Sequence, residues 1–309
     1  MLEPGTLWTR VIEQTQHALE CGALRSIPTH REIVDQDGVN FLVRILANLT
    51  RKEKAAQQQA QKAIISGEVI NPFLPYEEDL FVADLSETHL CLLNKFNVVD
   101  YHLLIITRAF EEQERLLTLE DFAALWTCLV EYDGLAFYNA GKNAGASQPH
   151  KHLQLIPLPL WSGDGAIAIE SWLASAEFKG TLATIPKLPF AHGLMRLPSG
   201  MQSPMKAAEE TLARYSTLLD TLGLRAGDAY NLLATRDWIL MVPRSQDSFA
   251  SISVNSLGFA GSLFVRDEEQ MQILKDQQPM TILTQVAMPI AHRREAIGCD
   301  AADMNAQKD

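Results

Sequence analysis

Two histidines and a glutamine alternate at residues 150–154, where the sequence reads HKHLQ. In an extended strand, residues two positions apart point to the same face, so His150, His152 and Gln154 would lie side by side. Residues 141–147, immediately upstream, form a loop of mostly small residues that can bring backbone N–H groups close to an anion. An imidazole pair beside an anion-binding loop is the strongest functional signal in the sequence.

Spacing alone leaves three interpretations of the histidine pair open. In the first, an unprotonated imidazole attacks phosphorus and leaves a phosphoramidate that a second nucleophile cleaves. Gln154 and nearby N–H groups would then stabilise the developing charge. In the second, the histidines bind zinc with His102 as a third ligand. In the third, both are only packed and hydrogen-bonded within a strand. The glycine-rich approach and Gln154 favour catalysis.

The segments around the histidines predict the strands and the helix that position them. Residues 135–140 are expected to form a strand that enters the glycine loop, and the strand leaving the loop begins with the histidines. Thr118-x-x-Asp121 is a capping box that begins a helix ending near residues 133–134. Upstream, residues 80–85 and 89–96 predict a hairpin, and residues 101–107 a further strand.

The second half of the chain contains a faint repeat of this arrangement. A predicted helix over residues 207–222 is followed by two strands, as in the first half. We therefore expect a duplicated unit whose second copy kept the frame and lost the chemistry. The equivalent pairs would be Tyr138-Asn139 and Tyr230-Asn231, His152 and Trp238, and Gln154 and Leu240. Residues 162–206 are expected to form a long irregular connection, with one part spanning residues 1–190 and carrying the histidines, and a second part spanning 191–309.

Composition excludes several classes of function. The net charge of −12 argues against a nucleic acid or an anionic membrane surface as the main partner. No apolar run is long enough for a membrane helix, and no signal peptide is recognisable. The four cysteines are scattered, which suggests buried free thiols and a cytoplasmic protein.

Several segments together resemble the ATP adenylyltransferases, also called diadenosine tetraphosphate phosphorylases. These enzymes are relatives of galactose-phosphate uridylyltransferase and of the histidine-triad nucleotide hydrolases. The matching segments, in the family's order, are NPFLP (71–75), LLNKFNVVDYHLLIITR (92–108), FYNAGKNAGAS (137–147), QPHKHLQ (148–154), DWILMVPR (237–244) and NSLGFAG (255–261).

The resemblance implies cleavage of diadenosine tetraphosphate at an α-phosphorus, giving ATP and an adenylylated histidine, after which phosphate takes the AMP to give ADP. His152 would be the nucleophile, His150 would support its orientation, and Gln154 would contact the transferred group. Gln154 stands where the hydrolases carry a third histidine, which favours transfer over hydrolysis. The substrate-binding residues implied are Lys52 or Lys54, Asn94, Lys95, Asn139, Gly145, Ala146, Ser147, Gln148, Asn255, Ser256 and Leu257.

The same resemblance implies an α+β fold, a histidine-triad-like antiparallel sheet with packed helices and a degenerate internal duplication. The expected ligands are a dinucleoside polyphosphate, ATP, ADP and inorganic phosphate. A divalent cation, Mg²⁺, is expected to neutralise the phosphate chain, without protein ligands recognisable in the sequence. We expect a monomer, with a dimer as the alternative. Two other functions stay open, namely nucleotidyl transfer with a sugar phosphate or adenylyl sulfate, and a non-catalytic nucleotide sensor.

Overall fold

The computed structural model describes residues 2–46, 71–160 and 165–290. Most of its strands belong to one large sheet. The strands are, in chain order, β1 (Thr29–Gln36), β2 (Val39–Leu46), β3 (Phe81–Asp84), β4 (His89–Leu93), β5 (Leu103–Thr107), β6 (Gly134–Ala140), β7 (His152–Pro157), β8 (Glu177–Lys179), β9 (Leu182–Thr184), β10 (Gly193–Arg196), β11 (Tyr230–Ala234), β12 (Trp238–Pro243), β13 (Ser248–Phe249), β14 (Ile252–Ser253) and β15 (Ser262–Val265).

The large sheet has ten strands in the order β3-β4-β5-β7-β6-β11-β12-β10-β9-β8, and every neighbouring pair in it is antiparallel. A second sheet has the order β1-β2-β15, and β13 pairs with β14. With the helices described next, this arrangement confirms the predicted α+β fold.

Local signals in the sequence define the helix ends. The Thr118 side chain accepts a hydrogen bond from the Asp121 backbone N–H and completes the predicted capping box. Pro204 begins the longest helix, and Gly223 ends it in the left-handed region at φ 70°. The helices are α1 (Leu7–Cys21), α2 (Leu119–Leu129), α3 (Glu170–Leu173), α4 (Pro204–Leu222), α5 (Glu268–Gln277) and α6 (Pro279–Val286), with 3₁₀ turns at Glu78–Leu80, Lys142–Ala144 and Ser256–Ala260.

The two faces of the large sheet are covered by different elements. Leu153 and Leu155 of β7 pack into a core shared with α1, α2 and α4. The Trp126 indole N–H of α2 donates to Thr211 Oγ1 of α4 at 2.7 Å, which ties the two helices together. Ile156 belongs to a second core on the opposite face, shared with the small sheet, α5 and α6. Within the described residues, no helix is both long and apolar enough to cross a membrane.

The order of the central strands supports the predicted duplication. The sequence β5-β7-β6 on one side of the sheet centre is mirrored by β11-β12-β10 on the other. Along the chain, α2 lies between β5 and β6, and α4 lies at the equivalent point between β10 and β11. Phe137 and Leu233 pair directly across β6 and β11, so an approximate two-fold axis passes between them.

Strand register confirms one part of the predicted equivalence and corrects another. Ile106 pairs with His152, and in the second copy Arg196 pairs with Trp238, so Trp238 does occupy the position of His152. The equivalence of Tyr138-Asn139 with Tyr230-Asn231 was wrong. Phe137 pairs with Gln154 and Leu233 pairs with Leu240, so Phe137 corresponds to Leu233, four positions beyond the residue that the predicted alignment requires. The connection between the paired strands spans residues 141–151 in the first copy and only 235–237 in the second. The second copy therefore lacks the glycine loop altogether.

The expected irregular connection over residues 162–206 was wrong for its middle part. That region contains α3 and the short strands β8, β9 and β10, and β8 and β9 are too short to give a periodic signal. β9 pairs with β10, so the sheet runs without interruption across the proposed boundary at residue 190. The division into residues 1–190 and 191–309 stays a prediction.

Candidate active site

His152 is the first residue of β7 and is 4% exposed. Its Nδ1 lies 2.8 Å from the main-chain oxygen of His150, so Nδ1 carries the ring proton and donates to that oxygen. Nε2 therefore keeps its lone pair, and no described residue donates a hydrogen bond to it. Burial lowers the pKa of His152 to about 4, which keeps the ring neutral at physiological pH. This is the tautomer and protonation state that a nucleophilic imidazole needs.

The side chain of His150 anchors the chain just before β7. Its Nε2–H donates to the Thr107 main-chain oxygen at 2.8 Å, and its Nδ1 accepts from Asn71 Nδ2 at 2.9 Å. Phe73 places its ring 5.4 Å from the His150 ring and 5.5 Å from the His152 ring, centre to centre. The His150 side chain thus holds the backbone in place, and the His150 carbonyl orients the His152 ring.

Gln154 is oriented by a histidine on the neighbouring strand. His102 Nε2 lies 3.0 Å from Gln154 Oε1, and His102 Nδ1 lies 3.2 Å from Asn94 Nδ2. Burial lowers the pKa of His102 to about 4, so its ring is neutral, accepts from Asn94 and donates to Gln154. With its oxygen engaged, the amide turns its NH₂ group away from His102. Gln154 can therefore donate to an oxygen on the face that it shares with His152.

These contacts argue against the zinc interpretation of the histidine pair. Both ring nitrogens of His102 and both of His150 are engaged by neighbouring residues. Of the three histidines, only His152 offers an open nitrogen, whereas a zinc site needs at least three protein ligands. The contact from His102 to Gln154 gives His102 a role in orienting the amide, which its position in the sequence does not indicate.

Gln113 holds both backbone groups of His152, and sequence reasoning did not identify it. Its Oε1 accepts from the His152 main-chain N–H at 2.8 Å. Its Nε2 donates to the main-chain oxygens of His152 at 3.2 Å and Asn139 at 2.9 Å. The residue is 1% exposed. β6 and β7 separate at this point to enter the glycine loop, and the Gln113 amide replaces the peptide group that would otherwise pair there.

Replacing Gln113 with leucine should slow the chemical step at His152 about 10- to 100-fold with little change in KM, because small displacements of a reacting group have effects of this size. Single-turnover kinetics would measure the rate of the chemical step. Gln270→Leu is the matched control, since Gln270 is also buried and bridges backbone at Arg266 and Ser251, in a part of the chain outside the histidine motif. Equal transfer rates in the two variants would contradict a positioning role for Gln113.

Gly145 allows two parts of the chain to approach each other closely. Its φ is +88°, and a Cβ atom there would lie 2.7 Å from the Val254 main-chain oxygen and 3.0 Å from Asn255 Cα. No larger side chain fits without moving backbone. The glycine is thus explained by the packing of the loop against residues 254–255, and this contact brings the C-terminal half of the chain to the edge of the site.

Only part of the glycine loop has N–H groups available for an anion. The Gly145 and Ala146 N–H groups donate to main-chain oxygens within the loop, at 2.8 and 3.1 Å. Those of Ser147 and Gln148 have no acceptor among the described residues. Gln148 Oε1 is buried and likewise has no partner in the described part of the chain. The backbone N–H groups of residues 147 and 148 are therefore the ones in this part of the loop that remain candidates for phosphate contact.

Two family models match most of the chain. The family model described as the Ap4A phosphorylase N-terminal domain matches residues 1–175. The chain belongs to the Ap4A phosphorylase family. Members of this family are nucleotidyltransferases, and the model of the ATP adenylyltransferase C-terminal domain matches residues 186–289.

Two Saccharomyces cerevisiae proteins are similar to this Ap4A phosphorylase family member over most of their lengths. Diadenosine 5',5'''-P1,P4-tetraphosphate phosphorylase 2 is 31% identical over 240 residues, which cover 67% of this chain and 72% of that protein. Protein APA1 is 26% identical over 300 residues, covering 86% and 88%. The crystal structure of yeast Ap4A phosphorylase Apa2 in complex with AMP has a TM-score of 0.75 and 23% identity, covering 94% of this chain and all of that one. That likeness confirms the fold.

Asn139 and Ser256, two of the residues implied by the family resemblance, are buried in a polar cluster with Asn231. Asn139 Oδ1 accepts from Ser256 Oγ at 2.7 Å, from the Ser256 N–H at 2.9 Å and from Asn231 Nδ2 at 2.8 Å. Arg244 donates to Asn231 Oδ1 and to the Val254 main-chain oxygen at 2.9 Å. The cluster joins both copies of the duplicated unit to the segment beginning at Asn255. Direct substrate contact by Asn139, Asn255, Ser256 and Leu257 stays a prediction, and Ser256 and Leu257 are almost fully buried.

Of the three predicted lysines, Lys95 lies within the described residues. Lys95 follows β4 and its Nζ forms an ion pair with Glu77, while Asn94 contacts His102 beside the site. Lys52 and Lys54 lie outside the described residues. The family resemblance remains the basis for assigning all three lysines to substrate.

Lys151, between the two histidines, points to the opposite face of the sheet, as the alternation predicts. Its Nζ lies 2.5 Å from Asp121 Oδ2 and 3.3 Å from Glu111 Oε2, and His89 Nε2 contacts the same aspartate at 3.0 Å. Burial alone would raise the pKa of Asp121, but hydrogen bonds from His89 and Lys151 outweigh it and leave the pKa below its ordinary value. The buried pair therefore fixes the start of β7 to the first turn of α2.

The pH dependence of the first chemical step follows from the burial of His152. An ordinary imidazole, with a pKa of about 6.5, would become mostly protonated as the pH falls below that value. Because burial lowers the pKa of His152 to about 4, its lone pair stays available over this interval. The single-turnover rate should be constant from neutral pH to about pH 5 and fall as the pH passes through 4. Half-maximal loss near an ordinary histidine pKa would contradict this.

Proposed function

We propose that this chain cleaves diadenosine tetraphosphate with inorganic phosphate, giving ADP and ATP through an adenylyl-histidine intermediate on His152. The observation that carries the proposal is the free, unprotonated Nε2 of His152, with its tautomer set by the His150 carbonyl. Membership of the Ap4A phosphorylase family and the similarity to the yeast phosphorylase support it.

In the first step, His152 Nε2 attacks an α-phosphorus, and the bond from that phosphorus to the bridging oxygen of the ATP portion breaks. The ring becomes an imidazolium whose Nδ1–H remains hydrogen-bonded to the His150 carbonyl, 2.8 Å away. The Gln154 NH₂ group is directed by His102 so that it can donate to an oxygen of the transferred group. ATP leaves as an anion, so no general acid is needed.

In the second step, an oxygen of inorganic phosphate attacks the adenylyl phosphorus and the N–P bond breaks. The products are ADP and a neutral His152 with its lone pair restored, so the enzyme is ready for another cycle. A histidine in the place of Gln154 could protonate a poor leaving group, whereas an amide cannot. The amide therefore suits a reaction between phosphate anions and favours transfer over hydrolysis.

The test of the proposal is product analysis with and without labelled phosphate. With phosphate present, ADP and ATP should form in equal amounts, and the label should appear in the β-phosphoryl group of ADP. Without phosphate, turnover should stop after one ATP per active site. Steady formation of AMP and ATP in water alone would identify a hydrolase and contradict the proposal.

We also propose that Mg²⁺ enters with the substrate's phosphate chain. Two carboxylates of the described residues around the histidine motif are already paired with lysines, Glu77 with Lys95 and Glu111 with Lys151. Because these carboxylates are paired with lysines, phosphate oxygens of the substrate are better placed than these side chains to bind Mg²⁺. Mg²⁺ would supply charge neutralisation on the polyphosphate. We further infer a monomer, with a dimer as the alternative, because one chain already contains both copies of the duplicated unit. We infer a cytoplasmic location because Cys21, Cys91 and Cys128 are free thiols.

A further inference from the structure

A second group of metal-ligand side chains lies away from the histidine motif, on α1 and the 3₁₀ turn that precedes β3. It consists of His17, Cys21 and Asp79. One ligand atom from each residue lies within 4.8 Å of those of the other two. All three side chains are exposed, so an ion could reach them from solvent. The expectation of buried cysteines was therefore wrong for Cys21. We propose that these residues form a zinc site, which we call the α1 site.

The spacing of the two helical residues is that of a chelate. His17 and Cys21 are one turn apart on α1, so their side chains project from the same face of the helix. The spacing between cysteines does not indicate this site, because only one of its three ligands is a cysteine. Asp79 is distant from His17 in the sequence, but its Oδ1 lies 2.8 Å from His17 Nε2. An ion could thus join two separate elements.

The backbone holding these ligands is fixed. Leu7, Val11 and Ala18 bury a neighbouring face of α1 in the core. Gln14 Nε2 donates to the Asp79 main-chain oxygen at 2.6 Å, which sets the position of the turn relative to the helix. In a zinc site the three ligand atoms would each lie about 2.0–2.3 Å from the ion.

The ligand set selects the kind of ion. One thiolate, one imidazole and one carboxylate suit zinc, whereas Mg²⁺ and Ca²⁺ prefer oxygen ligands alone. Three protein ligands leave the fourth tetrahedral position to water. The contact between exposed His17 and Asp79 contributes little to stability by itself.

Zinc at the α1 site would act on the segment that contacts the catalytic histidines. Asp79 belongs to the same stretch, residues 71–80, as Asn71, which donates to His150, and Phe73, which packs against His150 and His152. An ion bound by His17, Cys21 and Asp79 would fasten this stretch to the buried helix α1. The α1 site thus provides a stabilising clamp behind one wall of the active site, and its existence does not depend on the proposed function.

The test is titration of the metal-free, reduced full chain with zinc and, separately, with magnesium. One Zn²⁺ per chain should bind and raise the Tm, and Mg²⁺ without substrate should do neither. Co²⁺ in place of Zn²⁺ should give a thiolate-to-cobalt charge-transfer band. Cys21→Ser should remove that band. Loss of a residue that only hydrogen-bonds to a metal ligand weakens metal binding about 10- to 100-fold. His17→Ala and Asp79→Asn remove ligands themselves, so each should weaken Zn²⁺ binding by more than this.

Two control variants separate this site from adventitious binding. His30→Ala removes another exposed histidine, and Cys299→Ser removes a thiol outside the described residues. Both should bind Zn²⁺ and show the cobalt band as the unaltered chain does. The proposal is overturned if the unaltered chain binds no Zn²⁺, or if Cys21→Ser and His17→Ala bind it as tightly as the controls. Circular dichroism should show that the His17, Cys21 and Asp79 variants fold, because these three side chains are exposed.

Discussion

Replacing His152 with asparagine should abolish turnover, lowering kcat by about 10⁴-fold or more, as removal of other catalytic nucleophiles does. The asparagine NH₂ group can still donate to the His150 carbonyl, so the local backbone should be retained. What is lost is the nitrogen lone pair that attacks phosphorus. Steady-state kinetics would measure the loss, and calorimetry would measure substrate binding.

The asparagine variant also separates catalysis from binding. Its affinity for diadenosine tetraphosphate should remain within a few-fold of that of the unaltered chain, because the substitution leaves the open backbone N–H groups of Ser147 and Gln148 untouched. A variant that turns over at more than a tenth of the normal rate would show that another group attacks the substrate. A lower Tm would identify a variant that has lost binding because it does not fold.

Replacing Gln154 with leucine should slow the chemical step about 10²- to 10³-fold, the usual cost of losing one donor that stabilises transition-state charge. Leucine matches the size of glutamine and is the residue that the second copy carries at this position, Leu240. The effect should appear in kcat and leave substrate affinity nearly unchanged, because the charge on the transferred oxygens increases during the reaction. Single-turnover kinetics would measure it. A loss confined to KM would contradict the role of Gln154.

The contribution of His102 to the same step can be isolated by using the duplication. His102→Phe removes the donor that fixes the Gln154 amide, and it should slow the chemical step less than Gln154→Leu. His192 is the equivalent residue before β10, and it is also buried and bonded through both ring nitrogens, to Ile185 and Phe190. His192→Phe should lower the Tm without slowing transfer. Similar transfer rates in the two variants would show that His102 is only structural.

Local sequence signals predicted much of the frame around the site. Alternation along residues 150–155 placed Lys151, Leu153 and Leu155 on the helix-covered face and His152 and Gln154 on the other, as observed. The capping box at Thr118 predicted the start of α2. Such signals depend on neighbours within a few positions, so one sequence is enough to recognise them.

Contacts between distant parts of the chain could not be predicted in the same way. Gln113 is an isolated glutamine in the sequence, yet it binds the backbone of a residue 39 positions away. His102 contacts Gln154 across 52 positions, through strands whose order no local pattern specifies. The repeat was aligned incorrectly around Asn231 because the two copies have connections of different length, and the longer connection is the glycine loop itself.

The assignment of His152 as the nucleophile is tested most directly by mass spectrometry of the intact chain after mixing with diadenosine tetraphosphate in the absence of phosphate. We predict one adenylyl group per chain, located on the peptide that contains His152, and its complete transfer to phosphate as ADP when phosphate is added. The adduct should be absent from His152→Asn. Consumption of substrate without any adduct, or an adduct on another residue, would contradict the assignment of His152 as the nucleophile.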